Sequence, residues 1–353
     1  MDLDTLWFVL IAVLWSGYFV LEGFDFGVGM LLPIVGRDDD DRSTMLRTIG
    51  PVWDGNEVWL VVAGGATFAA FPAWYATMFS GFYIAFALIL FFLIVRVVSF
   101  EWRSKSEDSR WRARWTWINT IASYALPLLW GIGLSCLLYG VPIDSDGNYS
   151  GNFSDLFSAY TIFAGVAFVS LFAFHGATFL TLRTSGDLRV RAESAARRLA
   201  IPAAVLGAIY LAWTVAVAMD RNDKDLFPPA FPAALGIAAL ALGAFFLLTG
   251  RNGKAFTMTA GAAIAFVATL FTGLFPRVMV SSTDFADSLT VNGASSTDYA
   301  LKVMSVVALI CVPLILLYQG WTYHVFRHRL GSEPASARGD MTTTPASPTG
   351  DGG

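Results

Sequence analysis

Charge is scarce in this chain. Asp, Glu, Lys and Arg make up 14% of its residues, against about 25% in a soluble globular domain. Too few charged groups are present to cover a water-facing surface of this size. Cysteine is scarcer still. Cys136 and Cys311 stand alone in apolar runs, which excludes a disulfide framework, a C-x-x-C redox pair and the ligand spacings of zinc or iron–sulfur sites. No Gly-rich phosphate loop, nucleophile–base pair or nucleic-acid patch is present. The start, "MDLDTLW", is acidic where the n-region of a secretory signal is basic, so no signal peptide is expected.

What the chain does have is apolar length. It is 56% hydrophobic, with a mean hydropathy of +0.59. A membrane-spanning helix needs about 20 apolar residues. Nine such runs can be read, at roughly 7–35, 51–72, 76–99, 115–140, 156–182, 198–219, 231–249, 255–275 and 300–326. The expected fold is an all-α polytopic membrane protein with one membrane domain over 1–330. The second and third runs are separated only by "FPAWY", which reads as a tight turn between antiparallel neighbours. "FPPAFP" breaks the sixth from the seventh, because proline removes a helix donor. The small, polar residues of 331–353 read as a disordered tail.

An odd number of spans puts the two ends on opposite sides. Of the 23 Lys and Arg residues, 18 fall in the loops after runs one, three, five and seven or in the C-terminal tail. Four fall on the other side, and Arg96 lies inside the third run. The basic stretch "RSKSEDSRWRARW" belongs to the rich side. Basic loops stay in the cytoplasm. The N-terminus is therefore expected outside and the C-terminus in the cytoplasm.

This orientation turns sequence positions into depths, at 1.5 Å per helical residue. Counted from Arg47, Asp54 lies roughly 10 Å in and Glu57 roughly 15 Å in. Counted from Arg37, Asp25 lies roughly 18 Å in and Glu22 roughly 22 Å in. Each pair is spaced i,i+3 and shares one helix face. Asp54 alone has a simple explanation: it sits in the first turn of a helix beginning at Pro51, where the helix dipole stabilises a carboxylate. Asp25 and Glu22 are in mid-span. Carboxylates there face a bundle interior or water, and serve ion or proton routes. Four on two neighbouring helices point to a proton route. Arg96, roughly 10 Å deep, either pairs with Asp54 at the same level or snorkels to the headgroups.

Other features carry less. His175 in "FAFHGATFL" is the only mid-span histidine and reads as a hydrogen-bonded core residue. His324 and His328 end the last run beside Arg327 and Arg329, as interface residues. No haem or metal ligand is therefore assigned. Gly23 and Gly27, with the small residues of "VVAGGATFAAF", read as sites of close helix packing. Tryptophans near span ends read as interface anchors.

The segments "EGFDFGVGML", "PVWDGNEVWLVVAGGATFAAFPAWYA", "FSGFY", "FEWRSK", "HGATFL", "FPRVMVSST" and "PLILLY" together resemble subunit II of cytochrome bd quinol oxidase, from the first span to the last. The resemblance implies a respiratory terminal oxidase of the bacterial plasma membrane. Such an enzyme oxidises quinol and reduces dioxygen to water, with electrogenic uptake of cytoplasmic protons. It implies a fold of two four-helix bundles plus one extra helix. It implies a partner, subunit I, that carries haems b558, b595 and d and oxidises the quinol, leaving this chain without a stoichiometric haem. Lipid and small accessory subunits are further partners that it allows. A structural quinone is known in this subunit in some relatives, and no motif here places it. The family assigns the acidic residue of W-D-G-N to the proton route, which here is Asp54; Asp25 matches the acidic residue of the G-F-D segment. Glu57 and Glu22 extend that route by depth alone.

Two rival classes remain at this level. A proton-coupled secondary transporter shares the buried carboxylates and the many spans, but the chain shows no inverted repeat and no matching pair of broken spans. A purely structural partner subunit would use the same carboxylates to hold an interface.

Overall fold

The computed structural model describes residues 2–331. Residues 332–353, nearly all of the expected tail, lie outside the described residues. The chain folds as helices joined by loops. They are α1 (Leu3–Val35), α2 (Asp39–Ile49), α3 (Trp53–Ala70), α4 (Pro72–Gly81), α5 (Tyr83–Trp102), α6 (Ser109–Tyr139), α7 (Ala159–Arg183), α8 (Gly186–Arg221), α9 (Ala230–Leu248), α10 (Asn252–Leu274), α11 (Val291–Ala294) and α12 (Asp298–Val325). A two-stranded antiparallel ribbon, β1 (Arg277–Met279) with β2 (Leu289–Thr290), precedes α11.

Eight of the described helices are long and apolar enough to cross a membrane, and nine spans result when the bent pair α3–α4 counts as one. That pair corrects the expected tight turn. "FPAWY" is not a loop: Phe71 ends α3, and Pro72 opens α4 from the first helical position, where its missing N–H costs no hydrogen bond. The two axes meet at 120°. The loop after α1 is also more than a connection, since it holds α2. Asp38 caps α2 by accepting from the Asp41 backbone N–H at 2.8 Å. Three acidic residues in its first turn and Arg47 in its last suit the helix dipole.

The spans form two groups. α1, α3, α5 and α6 make one bundle, α7 to α10 make the other, and α1 also packs against α7 and α10. α1 meets α7 where two glycines face each other. A Cβ on Gly27 would lie 2.0 Å from the Phe172 carbonyl oxygen, and one on Gly176 would lie 2.4 Å from the Gly27 carbonyl carbon. The expected close packing at Gly23 and Gly27 is therefore present. The stripe at Gly64 and Gly65 is different: a Cβ at either would meet nothing within 4 Å. Those small residues do not pack within this chain.

α12 is the odd helix. It lies against α1 and α3, and Leu301 is its one buried residue. At the Arg-rich end, α2 joins the two bundles. Asp39 pairs with Arg103 and, at 2.5 Å, with Arg112 beside the first bundle; Asp41 pairs with Arg191 of the second.

Candidate functional site

The interior of the first bundle holds charge. Glu22 and Asp25 lie one turn apart on α1, and Arg96 lies on α5; all three are fully buried. Arg96 Nη1 pairs with Glu22 Oε1. Its guanidinium carbon lies 4.9 Å from the centre of the Phe26 ring and 5.2 Å from that of Phe100, so two aromatic faces complete its surroundings. Arg96 thus neither pairs with Asp54 nor snorkels. The expectation failed because it compared depth alone. Which way a side chain points around the helix decides its partner, and Arg96 points to α1.

The W-D-G-N segment splits in an unexpected way. Asp54 stands in the first turn of α3 as expected, but it is exposed in this chain and makes no hydrogen bond or ion pair among the described residues. Glu57, one turn on, is half-buried. It lies within electrostatic range of Asp54 on one side and of Arg96, Glu22 and Asp25 on the other. The four carboxylates therefore run in order of burial, from Asp54 through Glu57 to Asp25 and Glu22.

The buried member of the motif is Asn56, to which the sequence alone assigned no role. Its Nδ2 donates to Asp25 Oδ2 at 2.8 Å and to the Leu21 carbonyl at 3.3 Å. Its Oδ1 accepts from the Tyr323 hydroxyl at 2.7 Å and from Gln319 Nε2 at 3.2 Å, both on α12. Gln319 in turn accepts from Trp59 Nε1 at 2.7 Å. The available signal was the i,i+3 spacing of Trp53, Asn56 and Trp59, which places Asn56 on the face of the packed tryptophans.

Several polar atoms here have no hydrogen-bond partner among the described residues: Tyr18 Oη, Glu22 Oε2, Asp25 Oδ1, and Nε and Nη2 of Arg96. Leaving one buried polar group unsatisfied costs about 1–3 kcal/mol. Native proteins meet such groups with ordered water or keep them for function. Towards the Arg-rich end, Asn119 donates to Ser99 at 2.7 Å, and Ser99 donates to the Arg96 carbonyl at 2.5 Å. Beside Gln319 and Tyr323, a cleft of about 520 Å³ opens between α1, α3, α10 and α12.

His175 is a different kind of residue. One ring nitrogen lies 2.7 Å from the Thr259 hydroxyl and the other 3.0 Å from the Val20 carbonyl. The ring stacks on Phe256 with centroids 4.7 Å apart. Both nitrogens are occupied, so the residue does not fit a haem ligand. His324 lies in the exposed last turn of α12, 2.7 Å from Arg327. Among the described residues, no three His, Cys, Asp or Glu side chains group as a metal site.

These features define a class: a multi-pass helical membrane protein with carboxylates graded inward to a buried ion pair. The family follows from comparison. The model of cytochrome bd terminal oxidase subunit II matches residues 3–326, and the chain belongs to that family. It is 42% identical over 334 residues to cytochrome bd ubiquinol oxidase subunit 2 of Bacillus subtilis, covering 93% of this chain and 97% of the relative. It is 38% identical over 363 residues to cytochrome bd-I ubiquinol oxidase subunit 2 of Escherichia coli, covering 94% and 96%. The solved bd oxidase of Geobacillus thermodenitrificans includes a chain of the same fold, with a TM-score of 0.75 at 17% identity. The match covers 92% of this chain and 99% of that one. The protein is thus subunit II of a bacterial respiratory terminal oxidase, and the family's haems lie in the partner subunit.

Proposed function

We propose that this chain assembles with a haem-bearing subunit I into an electrogenic quinol:dioxygen oxidoreductase, and that Asp54, Glu57, Asp25 and Glu22 pass protons inward from the cytoplasm. In that complex subunit I carries haems b558, b595 and d, and quinol is oxidised there. The observation that supports the proton route is the order of burial: an exposed carboxylate, a half-buried one, and two buried ones, of which Glu22 is paired with Arg96. Asp54 is placed to exchange with bulk solvent or with a group of the partner. The Arg96 charge allows a carboxylate to stay ionised in the membrane interior, where charge is otherwise expensive.

Asp54→Asn tests the route. It keeps the size and shape of the side chain but removes the exchangeable proton. Oxygen consumption per mole of haem d should fall about a hundredfold or more, which is about 2.7 kcal/mol of barrier, while haem content stays normal. A fully haem-loaded variant with normal turnover would leave the structural-partner reading standing. The orientation has its own test. An impermeant thiol reagent added from outside should label a cysteine placed at Asp146 and spare one placed at Arg110; the opposite pattern inverts the direction of the route.

A further inference from the structure

Asn56 ties three helices together through hydrogen bonds whose direction can be deduced. Trp59 sets the direction, because an indole N–H only donates. Its partner must be Gln319 Oε1, as found at 2.7 Å. That leaves Gln319 Nε2 as the donor facing Asn56, so the atom it meets, at 3.2 Å, is the Asn56 carbonyl oxygen. The Tyr323 hydroxyl donates to the same oxygen at 2.7 Å. Asn56 Nδ2 must then point at the Leu21 carbonyl and at Asp25 Oδ2, and both only accept when Asp25 is ionised. Reversing the Asn56 amide would set oxygen against both acceptors and nitrogen against the Gln319 amide nitrogen. The orientation is fixed from the membrane side inward: Trp59 to Gln319 to Asn56 to Asp25.

The two oxygens of Asp25 are therefore not equivalent. Oδ2 is held by an amide donor. Oδ1 is buried and has no protein partner among the described residues. Building on the proton-route reading, we infer that Asn56 is a positioning residue: by holding Asp25 Oδ2, it makes Asp25 Oδ1 the one oxygen at which that carboxylate takes up and releases its proton. A proton that leaves the Glu57 carboxyl and arrives at Asp25 Oδ1, directly or through water, turns Glu57 into the carboxylate and Asp25 into the acid, with charge conserved. Asn56 does not relay protons in this scheme, since its amide faces Asp25 as a donor.

The arrangement also gives α12 a role. That helix buries little against the rest of the chain, yet Gln319 and Tyr323 hold the amide that holds Asp25. Arg96, Glu22 and Glu57 act on the same carboxylate electrostatically.

The experiment uses the purified complex with its partner subunit. Redox-induced infrared difference spectra identify the Asp25 carboxyl band as the one that Asp25→Asn removes. Asn56→Leu should shift that band and lower turnover per haem d roughly tenfold or more, as small misplacements of reacting groups do, with haem content unchanged. Gln319→Glu keeps the acceptor for Trp59 but removes the donor to Asn56. It should shift the band in the same direction by less, and it serves where Asn56→Leu does not assemble. An Asp25 band that stays in place in both haem-loaded variants overturns the positioning role. Asp25→Asn with normal turnover and no band removed overturns the proton-route reading beneath it, a result separable from the first.

Discussion

The two bundles are built alike and filled differently. In the α7–α10 bundle the buried polar side chains are neutral, among them Thr161, His175, Thr178, Thr214 and Thr259. They are also matched: Tyr160 and Thr214 hydroxyls lie 3.0 Å apart, and His175 has a partner on each nitrogen. The first bundle buries Glu22, Asp25 and Arg96. Among the described residues, every span side-chain atom that is buried without a partner belongs to that half: Tyr18, Glu22, Asp25, Trp74, Arg96 and Trp130. Full satisfaction of polar groups marks a scaffold. Unsatisfied polar groups, at about 1–3 kcal/mol each, are met by ordered water or kept for function, and the proton route proposed above uses those of the first bundle.

The largest test of this contrast removes the counter-charge. Arg96→Met leaves Glu22 ionised or protonated without its partner in the membrane interior. Breaking a buried pair costs about 3–5 kcal/mol, so the yield of haem-loaded complex should collapse. Adding Glu22→Gln should restore assembly, because removing both charges removes the mismatch. A single Arg96→Met variant that assembles at the wild-type level would make the pair dispensable and the contrast meaningless.

Asp54→Asn stands next in size and reads out differently, as turnover rather than assembly. Its expected loss confines function to the first bundle. The smallest effect belongs to the second. Thr259→Val removes a hydroxyl beside His175, at a cost of about 1–3 kcal/mol for the nitrogen left unmatched. Thermal stability of the complex should drop slightly and turnover per haem d should not change. A large loss of turnover without loss of stability would move function into α7–α10 and break the comparison from the other side.

Much of this protein is written along the chain. Long apolar runs separated by basic or Pro-containing loops are sufficient for the number of spans, because a bilayer selects length and hydropathy residue by residue. "EGFDFGVGML" with "PVWDGNEVW" was sufficient for the family. The presence of deep carboxylates at Glu22 and Asp25 also follows from counting. Pairing does not. Depth offered Arg96 either Asp54 or the headgroups, and it is joined to Glu22. Asn56 was overlooked beside Asp54 and is the better-connected residue. The turn at "FPAWY" is a helix, α4. Gly64 and Gly65 read as packing against a neighbour, and within this chain a Cβ at either meets nothing within 4 Å. For Arg96 and Asn56 the physical reason is the same. Sequence periodicity places a residue along its own helix and on one of its faces. Which face meets which neighbour depends on how the helices are rotated and tilted against one another, and only their packing decides that.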